Sequence, residues 1–286
     1  MNFRTDLAIE RHQVCPHKND GLKFTELSCG DAKITRIQVI DENGEKQMQK
    51  PIGNYITVET PRFFNYSDTD SDHLKALKNE LNNLLPKNGT VLVCGIGNTE
   101  ITPDALGPKA AARILATRHI TGEIAKSAGL GDLRAVAVVA PGVLGQTGME
   151  LSEILIGIID KIKPAAVIAI DALASRRLGR LGCTVQLSDT GITPGSGVGN
   201  ARAELSSRTL GVPVISVGVP TVVDAQTLVR DITENQSADI KNNAQMMMVT
   251  PREIDMLIDR AAQLIAHAIN CTLQPHIDPE DLLMLV

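Results

Sequence analysis

The chain has 286 residues, 43% of them hydrophobic, and a mean hydropathy near zero, which is enough for one large globular domain over 1–286. A formal net charge of −5 with no long Lys/Arg cluster argues against direct nucleic-acid binding, and two Tyr, four Phe and no Trp leave little surface for stacking on bases. Five cysteines without a CxxC pair, and no secretory or eighteen-residue apolar segment, are the pattern of a cytoplasmic protein with reduced thiols and no membrane span.

In chain order, Ile34 to Val39 and Tyr55 to Val58 alternate apolar and polar positions around Asp41-Glu-Asn-Gly44, which predicts an antiparallel hairpin within 30–60. Leu74, Leu77, Leu81, Leu84 and Leu85 fall at helical spacing and stop at Pro86. Four near-continuous apolar runs follow: Val91 to Cys94, Ala135 to Ala140, Ala165 to Ile170 and Val212 to Val219. Separated mostly by segments of helical character, they predict an α/β fold over 90–286 with a mainly parallel sheet flanked by helices. Thr147-Gly-Met-Glu150 and Thr250-Pro-Arg-Glu253 read as capping boxes. Ile254, Leu257, Ile258, Ala261, Leu264, Ile265 and Ala268 make the apolar stripe of a last helix that packs on the sheet.

Two aspartates sit where an apolar run gives way to a loop: Asp104, beyond Thr90 to Gly95, and Asp171, directly after Ile170. In an open parallel sheet, ligands bind in the crevice outside the carboxyl ends of the strands, so both are candidates for chemistry. Gly107-Pro108 follows Asp104 within a turn, and an interior proline costs a helix roughly 3 kcal/mol, so Asp104 is expected in a shaped loop with the helix beginning near Pro108.

Asp189-Thr-Gly191 matches the fingerprint of pepsin-like proteases, but those are all-β folds in which two such motifs meet; here Asp189 is expected to be a turn former bonding its own backbone, at the edge of a cleft. Gly95-Ile-Gly97 has Glu100 where a dinucleotide fingerprint needs Gly or Ala, and no phosphate-binding motif exists, so no cofactor is expected. Gly195-Ser-Gly-Val-Gly199 offers backbone N–H groups to an anion or a polarised carbonyl. The six histidines form no HxxxH and none ends a predicted strand, so a metal-free carboxyl mechanism is preferred; Cys94 reads as an inert buried thiol.

Together, Gly95-Ile-Gly-Asn98, Thr102 to Lys109, Pro141-Gly-Val-Leu-Gly-Gln-Thr-Gly148, Ile170 to Ala174, Ser188 to Asn200, Gly218 to Ala225 and Met248 to Met256 resemble the germination protease family. The resemblance implies an endopeptidase that degrades small acid-soluble, DNA-protecting spore proteins during germination. It also implies a zymogen, a homotetramer in the spore core, a core fold like that of the hydrogenase maturation proteases, and catalytic aspartates at Asp104 and Asp171. Two adjacent carboxyls share one proton, leaving one as base toward water and the other as acid toward the leaving nitrogen. Gly97, Asn98, Lys109, Gly145, Asp189, Gly195, Ser196 and Gly197 are the candidates for substrate or oxyanion contacts.

Thr5-Asp-Leu-Ala8 resembles the family's propeptide junction and its substrate cleavage site, which makes 1–6 a candidate propeptide cut between Asp6 and Leu7; Thr25-Glu-Leu-Ser28 resembles it as well. Relatives in this family carry a longer N-terminal extension and a long insertion before the last helix, whereas here Ala225 connects to Met248 in few residues. The other function class the residues leave open is a non-hydrolytic peptide- or nucleotide-binding module on a phosphorylase-like α/β scaffold.

Overall fold

A computed structural model describes residues 4–15, 20–63, 72–120, 122–127, 133–233 and 247–286. The chain begins with helix α1 (Ala8–Gln13), strands β1 (Leu22–Cys29) and β2 (Ala32–Val39), helix α2 (Glu42–Met48), strand β3 (Gly53–Glu59) and helix α3 (Asp72–Leu84). Strand β4 (Val91–Gly95), helices α4 (Leu106–Ala111) and α5 (Gly122–Ser127), strand β5 (Val136–Val139), helices α6 (Leu144–Thr147) and α7 (Leu151–Ile162) and strand β6 (Ala166–Ser175) follow. The rest is β7 (Thr184–Ser188), α8 (Ser207–Leu210), β8 (Val214–Asp224), α9 (Ala225–Thr233), β9 (Met248–Val249), α10 (Ile254–Leu273) and α11 (Pro279–Met284).

All the strands join one sheet in the order β1-β2-β3-β7-β8-β6-β4-β5, with β9 pairing to β8. It is mixed. The four apolar runs are β4, β5, β6 and β8, and they form its parallel half. Strands β1, β2, β3 and β7 form the antiparallel half, joined to the parallel one where β7 meets β8.

One face of the sheet is covered along its length. Helices α3, α4 and α10 pack there against Ile34, Ile56, Val93, Ile168, Leu187 and Val217, and the predicted stripe of α10 is buried from Leu257 onward, with Ile254 partly buried at its start. The other face carries two separate covers. Helices α7 and α8 bury Leu155, Ile159 and Leu210 against Leu92, Cys94, Val167 and Ala169 of the parallel half. Helices α1 and α2 bury Ile9 and Met48, together with Leu7, against Ile37, Val39 and Tyr55 of the antiparallel half. Between the two covers this face bears Asp171, Gln186 and Gly218, which share one row across β6, β8 and β7. That gap is where a ligand can reach the sheet.

Several local expectations are corrected. Strands β2 and β3 do pair antiparallel, but Asp41 does not start a turn between them. Its carboxylate accepts hydrogen bonds from the N–H groups of Asn43 (2.9 Å) and Gly44 (3.0 Å), which makes it the N-cap of α2. The two-residue hairpin is instead β1-β2, turning at Gly30-Asp31. The box at Thr147 is displaced by three residues: Thr147 ends α6, left-handed Gly148 stops it, and α7 starts after Glu150, whose N–H donates to the Glu153 carboxylate at 2.8 Å. At Thr250 the hydroxyl donates to the Thr221 carbonyl at 2.9 Å and ties the loop to β8, so α10 begins only at Ile254.

Candidate active site

Asp171 lies inside β6, which continues five residues beyond the end of its β4 partner at Gly95↔Ile170. A side chain at this position points past the shorter neighbour into the gap. Asp171 is 4% exposed, and its Oδ1 accepts from the N–H of Ala172 at 2.9 Å. Burial pushes its pKa well above the usual carboxylate range, and the negative charges of Asp104 and then Asp6 push it further; the Ala172 N–H acts weakly against them.

Asp104 ends a single 3-10 turn over Thr102–Asp104, after which α4 begins at Leu106. Pro108 therefore falls in the first turn of α4, where its missing N–H costs little, and the helix starts two residues earlier than expected. The Asp104 Oδ2 accepts from the Asn98 N–H at 2.8 Å. Burial raises its pKa and that hydrogen bond opposes the rise. Gly97 makes the contact feasible: its φ is +127°, and a Cβ there would lie 1.9 Å from the Asp104 carbonyl oxygen. Asn98 in turn accepts from the Gln146 side chain at 2.9 Å, which links the Asp104 loop to α6.

Both aspartates line a cavity of about 950 Å³ between the two helical covers. Gly97, Asn98, Gly145, Gly195, Ser196 and Gly197 line it as well. Lys109 does not; it sits on α4, where its carbonyl accepts from Arg113 at 3.1 Å. Asp189 is also outside the lining, and it does not bond its own backbone: its two oxygens accept from the N–H and side-chain amide of Asn54 at 2.7 and 2.6 Å, clamping the end of β7 to β3. Among the described residues no three His, Cys, Asp or Glu side chains gather as a metal site. The Cys94 thiol, buried beneath the site, is pushed up to about 12 by burial and by Asp171.

The N-terminal segment enters the same cavity. Asp6 pairs with the edge of β6, its N–H donating to the Ala174 carbonyl at 2.9 Å. The Asp6 carboxylate accepts from the Ala174 N–H and the Ser196 hydroxyl, both at 2.8 Å. Gln186 brackets the next bond: its Nε2 donates to the Asp6 carbonyl at 3.1 Å and its Oε1 accepts from the Ala8 N–H at 2.6 Å. Thr5 donates to Glu10, a buried carboxylate that also accepts from the N–H groups of Arg176 (2.7 Å) and Arg177 (2.9 Å). The second candidate junction, Thr25–Ser28, is ladder-paired within β1 and lies outside this cavity.

Gln186 and the carboxylate role of Asp6 are absent from the sequence expectations. A signal for Gln186 exists in Thr184-Val-Gln-Leu-Ser188, an alternating strand whose polar side chains are all buried. Alternation by itself places such residues in solvent, so only the N-terminal segment above them reveals their role.

Comparison with known proteins agrees over nearly the whole chain. A germination protease family model matches residues 4–236. The germination protease of Caldanaerobacter subterraneus subsp. tengcongensis is 42% identical over 100% of this chain and 98% of its own, and that of Clostridium perfringens strain 13 is 41% identical over 98% of each. Among solved structures, the NiFe hydrogenase maturation protease HycI of Thermococcus kodakarensis KOD1 covers 66% of this chain and 98% of its own at 19% identity and a TM-score of 0.38, too distant to bear on the assignment. The sequence relatives decide the matter: the chain belongs to the germination protease family and is a peptidase.

Proposed function

We propose that this peptidase is an endopeptidase that starts the breakdown of small acid-soluble, DNA-protecting spore proteins, using Asp104 and Asp171 as a proton-sharing pair. The observation that carries the reading is the asymmetry between the two carboxyls within one cavity. Asp171 is the more deeply buried and has its pKa raised the further, so it is the member that holds the shared proton; Asp104, half-exposed and bonded by the Asn98 N–H, is the member that ionises first. In this scheme the Asp104 carboxylate takes a proton from water as the water oxygen bonds to the peptide carbonyl carbon. Asp171 then gives its proton to the amide nitrogen as the C–N bond breaks. The proton ends on Asp104, and transfer between the two carboxyls resets the pair.

The chain is, in the same reading, made as a zymogen that trims itself between Asp6 and Leu7. Support comes from the placement of Asp6 in the cavity that holds the pair. Assembly as a homotetramer in the spore core completes the proposal, and light scattering of the purified chain measures the first part. The test of the chemistry incubates wild type and Asp171→Asn with a small acid-soluble spore protein across roughly pH 5 to 8, a window around the carboxyl range, and reads substrate and enzyme by mass spectrometry. The expected result is dyad-dependent cleavage of both. An intact enzyme N-terminus, or equal trimming in the variant, removes self-processing; an intact substrate removes the protease assignment to these proteins.

A further inference from the structure

We infer that Asp224 is a specificity-determining residue: its carboxylate reads a basic side chain, arginine above lysine, on the third residue before the cut bond, the place that Arg4 fills in the untrimmed chain. The inference rests on the protease and self-trimming readings above and adds to them a residue that chooses the substrate.

Strand β8 runs past its last β6 partner at Val223 and ends on Asp224, where β9 pairs with it at Met248. Asp224 is 6% exposed. Its Oδ1 is taken by the start of α9, accepting from the N–H and the hydroxyl of Thr227, both at 3.0 Å. Its Oδ2 faces the Arg4 guanidinium at an N–O separation of 3.6 Å. A carboxylate this buried is costly unless charge and hydrogen bonds compensate it. The helix start accounts for one oxygen, and a segment that the proposed cut removes supplies the cation for the other. Trimming after Asp6 therefore leaves Oδ2 without that cation, and a substrate that brings one to the same place restores the pair.

The loop opposite sets the shape of the cation. A Cβ on Gly199 would lie 3.2 Å from each of Cζ, Nη1 and Nη2 of Arg4, and a point equidistant from those three atoms at that range stands above the guanidinium plane. The flat face of the guanidinium thus rests on the glycine. A planar fork fits between glycine and carboxylate, whereas a lysine ammonium brings the charge without the flat face.

The register follows from the backbone. The Asp6 N–H donates to the Ala174 carbonyl at the edge of β6, and Gln186 holds the Asp6 carbonyl and the Ala8 N–H on either side of the Asp6–Leu7 bond. Alternate side chains then turn the same way: Asp6 reaches Ser196 and Arg4 reaches Gly199 in one loop, while Thr5 turns to Glu10. A substrate bound in this register sets its third residue before the bond beside Asp224.

The experiment measures kcat/KM of wild type and Asp224→Asn, after incubation for self-trimming, on peptides copying residues 2–12 with Arg4 kept, Arg4→Lys or Arg4→Gln; Asp104→Asn is a parallel sample. Asparagine keeps an acceptor oxygen for Thr227, so the start of α9 is preserved while the charge is lost. The Arg4 side chain is 51% exposed, and an ion pair of that kind corresponds to at most about fivefold discrimination. Wild type is expected to favour the Arg peptide over the Gln peptide by about that factor at about 0.05 M salt, with Lys between them, and by less than about twofold at about 0.5 M salt, where exposed charges are screened. Asp224→Asn is expected to stay below about twofold throughout. A wild type without basic preference, a preference that salt leaves untouched, or one unchanged in Asp224→Asn overturns the subsite. Cleavage that survives Asp104→Asn sinks the dyad while the preference ratio still judges the subsite, and a wild type that cleaves none of the peptides overturns both.

Discussion

The two covers on one face of the sheet solve different problems. On the parallel side, α7 and α8 lie over strands that are apolar on both faces, and the polar residue that breaks the run, Asp171, is where chemistry is expected. On the antiparallel side, α1 and α2 lie beside a row of buried polar side chains, Thr35, Thr57 and Gln186, and the N-terminal segment uses the last of these. The parallel half supplies the titrating groups, and both halves hold the N-terminal backbone, β6 through the Ala174 carbonyl and β7 through Gln186. The cavity is the seam between them. A site built this way keeps its carboxyls in a rigid, low-dielectric setting, while the N-terminal segment that enters it is gripped through its backbone as well as through the Asp6 carboxylate.

The hardest blow to that division comes from the dyad. Asp104→Asn and Asp171→Asn are each expected to fold and to lose roughly 10³-fold in kcat, the scale of one acid–base role. The double variant is expected to lose little more than either single one, because the two carboxyls act as one unit. Cleavage of a spore protein at matched circular dichroism measures it, and activity within about tenfold of wild type, roughly 1.4 kcal/mol of barrier, ends the dyad assignment.

Stability should report the same pair without any substrate. Asp171 stays protonated in the folded chain to a higher pH than in the unfolded one, so between those two values the native state binds more protons. Its contribution is therefore fully present below the unfolded carboxylate pKa and is lost as pH rises through the raised folded pKa. Asp104 is shifted in the same direction. Asp171→Asn does not titrate, so the melting temperature of the variant relative to wild type should climb as pH rises from about 4, the ordinary carboxyl value, through the raised folded value. A difference that is flat, or that falls, contradicts a buried proton on Asp171.

How much of this is visible in the sequence also divides along the seam. Strands buried on both faces read as continuous apolar runs, so β4, β5, β6 and β8 and the aspartates at their ends stand out. Strand β6 runs past Asp171 to Ser175, because β8 and the N-terminal segment pair with it after β4 has ended; the sequence places that limit at Ile170. Strands β1 and β7 escape notice for opposite reasons: most of β1 is solvent-exposed, whereas β7 hides polar side chains under another part of the chain. Asp41 and Asp189 show the same ambiguity at single residues. Either reads locally as a turn former, and the partner that decides, the helix start at Asn43 and Gly44 or the Asn54 amide from β3, is fixed by the fold.

A smaller effect is expected at Gly97. Alanine there meets the Asp104 carbonyl and sits at a φ that side chains avoid, so Gly97→Ala should cost about 1–3 kcal/mol of stability and move the Asp104 loop. Urea unfolding gives the stability, and a drop in kcat larger than the change in KM identifies a displaced base. Unaltered stability shows that the loop yields freely and that Asp104 is not held as described.

Asp189→Asn is the mildest change and the sharpest control, since it alters a carboxylate close in sequence to the cavity loop but on the antiparallel side. The side chain clamps β7 to β3 through Asn54 and does not line the cavity. An asparagine keeps one carbonyl oxygen for the Asn54 N–H, and a flip of the Asn54 amide restores the second bond with its polarity reversed. What is lost is the strength that the charge adds, about 1 kcal/mol. Thermal unfolding should register that loss while kcat stays within about threefold, well under one decade of rate or 1.4 kcal/mol. A hundredfold fall in kcat with stability intact would place a reacting carboxyl on the antiparallel half and dissolve the division between the two sides.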